Sequence, residues 1–510
     1  MSDDDTSGMG RIGVSATPRI ELRGFDLCLR DISCSLMGLG MGTLVALEGS
    51  PPWQVARAVM VVAVCTGVAV AARRAPRAAA VAALLVGIVI ATAGGTIGVS
   101  HLTWSGPSLK AVAGVVAFAG GLGATLLSAA SLLRTARGWR RLLAIPVAVV
   151  LVWVLVKPLW AAVYATNVPR PELGSATPQL LGMEYEEATF TTADGVDLSG
   201  WYIPSSNGAA VVLLHGASST LSHVLAHAQV LARLGYGVLM FDARGHGRSE
   251  GRAMEFGWNG ELDTSAAVQY LSGRPDVDGN RIGAVGMSMG GEQVIGAMAT
   301  DERIKAAVAE GATHRVLADQ DWLVEEFGVR GRVQQVINRL EFVLVDLFAE
   351  APEPISLRES VEAAAPRPLL LIAAGRVPDE QRANRSIQAV SPQTVELWVV
   401  PGAGHTEGLR RQPEEWEERV GGFLGRELAH ALPGVPVEFR GAPGGGSVAP
   451  RAPSPGRSGS ARRPAIRPTG AGTLGPMDSG LLGGSSSTLK ARRSAWQIRL
   501  WLSEVDLSEE

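Results

Sequence analysis

Cysteine is nearly absent. The 510-residue chain has three, Cys28, Cys34 and Cys65, all in its first third. The rest of the chain can therefore hold no disulfide, and the spacing of the three fits no metal site. They read as small packing residues. Aromatic side chains are scarce at 5%, although hydrophobic residues make up 46% of the chain. The apolar excess is Ala, Val, Leu and Gly, concentrated in the first third. A dominant charge is also missing: the net charge is −3, so no basic field exists to attract nucleic acid, and no nucleic-acid partner is expected. An apolar stretch near residue 1 with a cleavage site behind it is lacking, which argues against a secretory signal.

What fills the first third is apolar helix without a polar face. After a polar segment at 1–30, the region 31–165 reads as a transmembrane bundle, with spans near 32–48, 55–72, 78–99, 109–133 and 142–164. A spanning helix needs roughly 20 apolar residues. Four of these segments meet that need, and the first is short and Gly-rich, so the count is four or five. Buried helices of a soluble protein would normally show a polar side. Arg73, Arg74 and Arg77 fill one loop, and Arg134, Arg137, Arg140 and Arg141 fill another. By the positive-inside tendency those loops are cytoplasmic, and everything after Tyr164 lies outside the cytoplasm. Lys157 is a counter-signal.

Residues 166–182, with Pro169, Pro171, Gly174 and Pro178, read as a linker. From 183 to 432 the pattern is that of a soluble α/β domain. A hairpin is expected over 185–192 and 196–203. Strands follow at 210–215, 237–242, 282–285, 304–309, 368–373 and 395–400, alternating with helices that include 221–234, 262–271 and 413–431. Such alternation implies a largely parallel sheet covered by helices on both faces. The interval 313–366 has no strand pattern but carries Trp322, Phe327, Phe342 and Phe348, and reads as a helical lid. Residues 433–510 form a Gly/Pro/Ser/Arg-rich tail whose composition favours disorder.

The chemistry centres on Gly286-Met287-Ser288-Met289-Gly290, followed by Gly291. A strand, a sharp turn and a helix make a nucleophile elbow, which lifts a serine hydroxyl out of the end of a sheet. A chain with 62 Gly can produce this spacing by chance, so the surroundings must decide. A serine needs a base. His405, in a loop after the strand at 395–400, falls at the same sheet edge. His430 and His314 are rivals, and His223 with His227 forms a pair without a third metal ligand. The acid is expected after the strand at 368–373. Asp379 comes first, Glu380 competes beside it, and Glu310 is an outside candidate. Two backbone N–H groups are needed to hold an oxyanion. Met289 and Ala217 are the candidates, with His215 a structural neighbour. No metal and no cofactor is required.

These motifs together resemble the α/β-hydrolase superfamily. His215-Gly216 after one strand, Asp242-Ala243-Arg244-Gly245-His246-Gly247-Arg248-Ser249 after the next, the elbow at Ser288 and the late His405 all fit it. The segment from Thr192 to Trp201 is similar to the serine aminopeptidase-like and prolyl-oligopeptidase-like branch. The resemblance implies an α/β-hydrolase fold over about 183–430, structural roles for Asp242 and His246, and a triad of Ser288, His405 and Asp379. In that superfamily the acid usually sits three residues after a glycine, a place Pro378 occupies here. The expectation is a membrane-anchored serine hydrolase acting on an ester or related acyl bond. The substrate would be a small molecule, lipid-like or a peptide, with the lipid bilayer as the other partner. A peptidase on the same triad and a non-catalytic membrane protein are the alternatives.

Overall fold

The computed structural model describes residues 32–44, scattered residues between 59 and 67, and residues 76–429. The rest of the expected second span, the first span beyond residue 44, His430 and the tail all lie outside the described residues.

Helix α1 (Ile32–Leu44) is short and apolar. Three longer helices follow: α2 (Pro76–Trp104), α3 (Leu109–Thr135) and α4 (Gly138–Asn167). The three are long and apolar enough to cross a membrane. Helices α2 and α3 pack closely because glycines face each other: a Cβ on Gly114 would lie 2.5 Å from the Gly98 nitrogen, and one on Gly121 would lie 2.5 Å from that of Ala91. Small residues at such contacts let backbones approach where lipid offers no hydrophobic drive.

The expected linker does not hang loose. Helix α4 continues to Asn167. Arg170 then donates to the Ser249 and Gly251 carbonyls at 2.5 and 3.1 Å, and the Pro171 carbonyl accepts from Gly247 N. Leu173 packs against one of the domain's cores. The irregular residues 168–173 after α4 are thus fastened to the domain, and a tether free to extend is replaced there by a fixed joint.

The soluble domain is built on an eight-stranded sheet in the order β1-β2-β4-β3-β5-β6-β7-β8. The strands are β1 (Glu186–Thr191), β2 (Asp197–Ile203), β3 (Ala210–Leu214), β4 (Gly237–Phe241), β5 (Ile282–Met287), β6 (Ile304–Glu310), β7 (Leu369–Ala374) and β8 (Val395–Val400). The first hairpin and the β2–β4 pair are antiparallel and every other pair is parallel. Strands β3, β4 and β5 are buried along their whole length, so they read as unbroken apolar runs. Alternate residues still divide between faces: Val212 and Leu214 join one core, Val211 and Leu213 the other. Helices α5 (Leu225–Arg233), α6 (Gly260–Ser272), α7 (Met289–Thr300), α8 (Trp322–Phe348), α9 (Leu357–Ala364), α10 (Pro378–Gln388) and α11 (Pro413–Ala429) complete it. The interval read as a lid is occupied by α8 and α9, with α8 kinked at Gly328 (φ 55°, ψ −122°).

The loop after β4 is fixed by one carboxylate. Asp242, fully buried, accepts from Leu221 N at 2.9 Å and Arg248 N at 3.0 Å. Burial raises its pKa while those two donors lower it. Gly247 sits against it with φ 46°, where a Cβ would fall 1.9 Å from Asp242 Oδ2. Gly247→Ala therefore should cost about 2–4 kcal/mol, or roughly 5–15 °C in Tm for a domain this size. Gly195→Ala, with φ 85° and open space around the position, should cost only about 1 kcal/mol for backbone strain. Thermal unfolding of the two variants in detergent checks the ranking, and equal losses would contradict it.

Candidate active site

Strand β5 delivers Ser288 to the end of the sheet, and α7 starts at the next residue. Ser288 has φ 54° and ψ −120°, a conformation that costs about 1–3 kcal/mol in a non-glycine residue. The surroundings hold it there. Ser288 N donates to the Glu310 carbonyl at 2.7 Å. A Cβ on Gly286 would lie 2.1 Å from the Gly290 carbonyl oxygen, and one on Gly290 would lie 2.6 Å from that of His215. Both glycines are therefore demanded by backbone-to-backbone contact, not by flexibility.

His405 arrives from the loop after β8. Its Nε2 lies 2.9 Å from Ser288 Oγ. Gly311 makes room for it, since a Cβ there would sit 2.8 Å from His405 Cε1. The loop is anchored from below by Glu310, which accepts from Gly408 N at 2.7 Å and Trp416 Nε1 at 3.0 Å. Burial pushes the Glu310 carboxyl above its ordinary range. Glu310 thus supports the loop and its carboxylate is engaged with these two donors.

The carboxylate that meets His405 belongs to Glu380, not to Asp379. His405 Nδ1 donates to Glu380 Oε2 at 2.7 Å, while Glu380 Oε1 accepts from Ala374 N at 2.6 Å. Glu380 is 1% exposed. The Asp379 side chain is 47% exposed and pairs with Arg382 at 3.0 Å. The reason is helix phase. Pro378 opens α10, as proline favours the first helical position. The second position, Asp379, then faces outward, and the third, Glu380, turns back over the helix start as a capping carboxylate does. The longer glutamate spans the remaining gap. Asn384, fully buried, donates to the Ala312 and Glu380 carbonyls at 2.9 and 2.7 Å. It ties α10 to the segment after β6, a role that sequence reasoning missed.

Of the two candidate oxyanion donors, Met289 follows Ser288 directly and Ala217 follows Gly216. A Cβ on Gly216 would touch the Ser288 Cβ at 3.2 Å. Ala217 and Met289 share one buried cluster with Met254 and with Ala165 of α4. His215 is fixed as a single tautomer: Ala243 N donates to its Nε2 at 3.1 Å and its Nδ1–H donates to the Gly216 carbonyl at 2.8 Å. Burial lowers its pKa to about 4. His246 packs beside it at 4.9 Å between ring centroids, lowered to about 3 by the same cause. Both are neutral at pH 7 and shape the loops.

The remaining histidines lie elsewhere. His223 helps cap the turn at Thr220, and His227 is buried edge-on against Trp416. Among the described residues no group of three or more His, Cys, Asp or Glu is placed to hold a metal. The backbone of His314 donates to Glu292 Oε1 at 3.2 Å, and its ring lies edge-on to Phe342 of α8.

Comparison with known proteins points to the same fold. The family model described as "Serine aminopeptidase, S33" matches residues 205–350. The uncharacterized protein YfhR of Salmonella typhi is 34% identical over 143 residues, 27% of this chain; the chain spans 47% of that relative's length. The uncharacterized protein Rv2307c of Mycobacterium tuberculosis is 32% identical over 235 residues, 45% of this chain and 73% of the relative. Among solved structures, an esterase of Pyrococcus furiosus, Pf2001, is 30% identical with a TM-score of 0.42, covering 52% of this chain and 99% of that one. With the mostly parallel eight-stranded sheet and the serine turn between β5 and α7, the family match and the likeness to the mycobacterial protein place the chain plainly: it belongs to the α/β-hydrolase superfamily, as a hydrolase-like α/β domain preceded by apolar helices.

Proposed function

We propose that the chain is a membrane-anchored serine hydrolase that cleaves an ester or related acyl bond through Ser288, His405 and Glu380. The observation that carries this reading is the hydrogen-bonded line from Ser288 Oγ through His405 to Glu380, at 2.9 and 2.7 Å, on a strained serine turn.

In this mechanism Ser288 Oγ attacks the acyl carbonyl carbon while His405 Nε2 takes its proton. Glu380, hydrogen-bonded to Nδ1–H, holds the imidazole in the right tautomer and stabilises the imidazolium. The N–H groups of Met289 and Ala217 receive the oxyanion. His405 returns its proton to the leaving oxygen as the C–O bond breaks, leaving an acyl-Ser288. Water, deprotonated by His405, attacks that ester, and collapse of the second tetrahedral intermediate releases the acid and restores Ser288. Metal and organic cofactor have no step in this sequence.

A peptidase reading uses the same three residues, and the description of the matching family model favours it. A panel of acyl esters against aminoacyl amides separates the two.

Two measurements test the assignment of residues. Ser288→Ala should abolish covalent fluorophosphonate labelling without unfolding the protein, since it removes one hydroxyl; labelling that survives would sink the nucleophile. Glu380→Gln should lower kcat by about 10³–10⁴-fold, the scale seen when the orienting carboxylate of such a triad is neutralised. Asp379→Asn, at an exposed surface pair, should change it less than about twofold. The reverse pattern would return the acid to Asp379.

The side of the membrane is a separate prediction. With the basic loops at 73–77 and 134–141 inside, alkaline phosphatase fused after residue 432 should be active. A fluorescent protein that matures only in the cytoplasm should be dark at the same site. The opposite pattern would put the hydrolase in the cytoplasm.

A further inference from the structure

Helix α8 has two unlike long sides. Gly331, Asn338, Phe342 and Val345 are buried. On the other side run Val329, Val333, Val336, Leu340, Val343 and Leu347, spaced by four and three residues in turn. Five of these are 53–84% exposed, with Leu340 half-buried. At 100° per residue the set lies within about 80° of arc, opposite the buried set, and it runs for about 27 Å. An exposed apolar stripe of that length on a protein surface marks a place where something apolar belongs.

The neighbour of α8 identifies what that is. Phe342 and Val345 pack with Ala162 of α4, and Leu344 and Phe348 pack against the cluster formed by α1, α2, α3 and α4. Lys157 of α4 donates to Asn338 Oδ1 at 3.4 Å. Lys157 is also a depth mark. About 16 to 20 residues separate it from the basic run at 137–141, roughly 24–30 Å of helix, which matches a hydrocarbon core of about 30 Å. Trp160 and Tyr164 stack just beyond it, and Trp104 meets Tyr164 edge-on, as aromatics gather at a membrane–water boundary. Arg332 and Arg339, both exposed, flank one side of the stripe, where phosphate groups would lie.

We infer that α8 lies in the membrane interface at the level of Lys157, with the Val329–Leu347 stripe set into the acyl chains of the bilayer, so that the hydrolase takes its acyl substrate from the lipid layer. This rests on the membrane-anchored reading above and deepens it. The site is within reach of that layer. Tyr164, about seven residues past Lys157 and so roughly 10 Å above it, is hydrogen-bonded to Ser218 at 2.9 Å. Ser218 adjoins Ala217, and Ala165 packs with Ala217 and Met289. The two candidate oxyanion residues therefore border the point where α4 leaves the membrane, and the ester group of a lipid anchored beside α8 has only a short rise to Ser288.

The test uses the full chain with its three cysteines replaced, reconstituted in vesicles of phosphatidylcholine and phosphatidylglycerol. Single cysteines replace Val150 in the body of α4, Val336 on the stripe and Glu418 on α11, each carrying an environment-sensitive nitrobenzoxadiazole dye. Spin-labelled lipids should quench Val150→Cys and Val336→Cys by about twofold or more, the first best by deep labels and the second best by shallow ones, and should leave Glu418→Cys bright. Quenching at position 150 but not at 336 overturns this proposal alone. No quenching at 150 overturns the membrane-anchored reading beneath it. As a second measurement, Val333→Asp with Val336→Asp should lower turnover of a vesicle-embedded ester relative to a water-soluble short-chain ester by about tenfold. An unchanged ratio overturns the proposal.

Discussion

The active-site region depends on two backbones that touch. At Gly286 and Gly290 the end of β5, the first turn of α7 and the His215 carbonyl come so close that no Cβ fits between them. That contact forces Ser288 into its strained turn and sets the loop after β3 against it. The strain is held, not relaxed, because the Ser288 N–H is also committed to the Glu310 carbonyl. Glu310 then uses its side chain on Gly408 and Trp416. One residue at the end of β6 thus fixes the serine through its backbone and the histidine loop through its carboxylate. The distance between Ser288 and His405 follows from those two attachments.

Legibility of the site in the sequence divides along physical lines. Ser288 could be read because its glycines answer a local need, the close approach of a strand end to the helix that follows. His405 could be read because a loop after a parallel strand must fall at the same sheet edge as the serine turn. The acid was harder, since Asp379 and Glu380 differ only in helical phase. Composition ranks the nearer carboxylate first, whereas the phase set by Pro378 at the start of α10 turns the farther one inward. Gly311 and Asn384 carried no signal, because what makes them matter is a neighbour brought close by the fold: His405 in one case and the Ala312 carbonyl in the other.

The same distinction separates the two ends of the fold. Strands β3, β4 and β5 are legible as apolar runs because burial on both faces leaves no room for polar side chains. The segment at 166–182 looked like a free linker because proline and glycine are plentiful there. Composition reports only that the backbone cannot be regular. It does not report that Arg170 and Pro171 find carbonyl and N–H partners in the loop after β4. An irregular segment with its polar groups paired is as fixed as a helix.

Fixing that joint changes what the apolar helices do for the domain. A long free tether would leave the α/β domain any orientation to the apolar helices. Here Tyr164 and Ala165 of α4 pack directly on the loop that carries Ala217 and Ser218, so orientation is built in. Helix α8 carries the same constraint to the other side of the site. Its first part, before the kink at Gly328, packs Trp322 and Leu323 against Ala383 of α10, one turn from Glu380. Its second part packs against α4. The kink lets one helix follow two surfaces that a straight rod would not match. Glu380, which hydrogen-bonds His405, and the helix that leaves the apolar bundle are thereby joined through one element, and Ser288, His405 and Glu380 are held in register with the apolar helices as well as with one another.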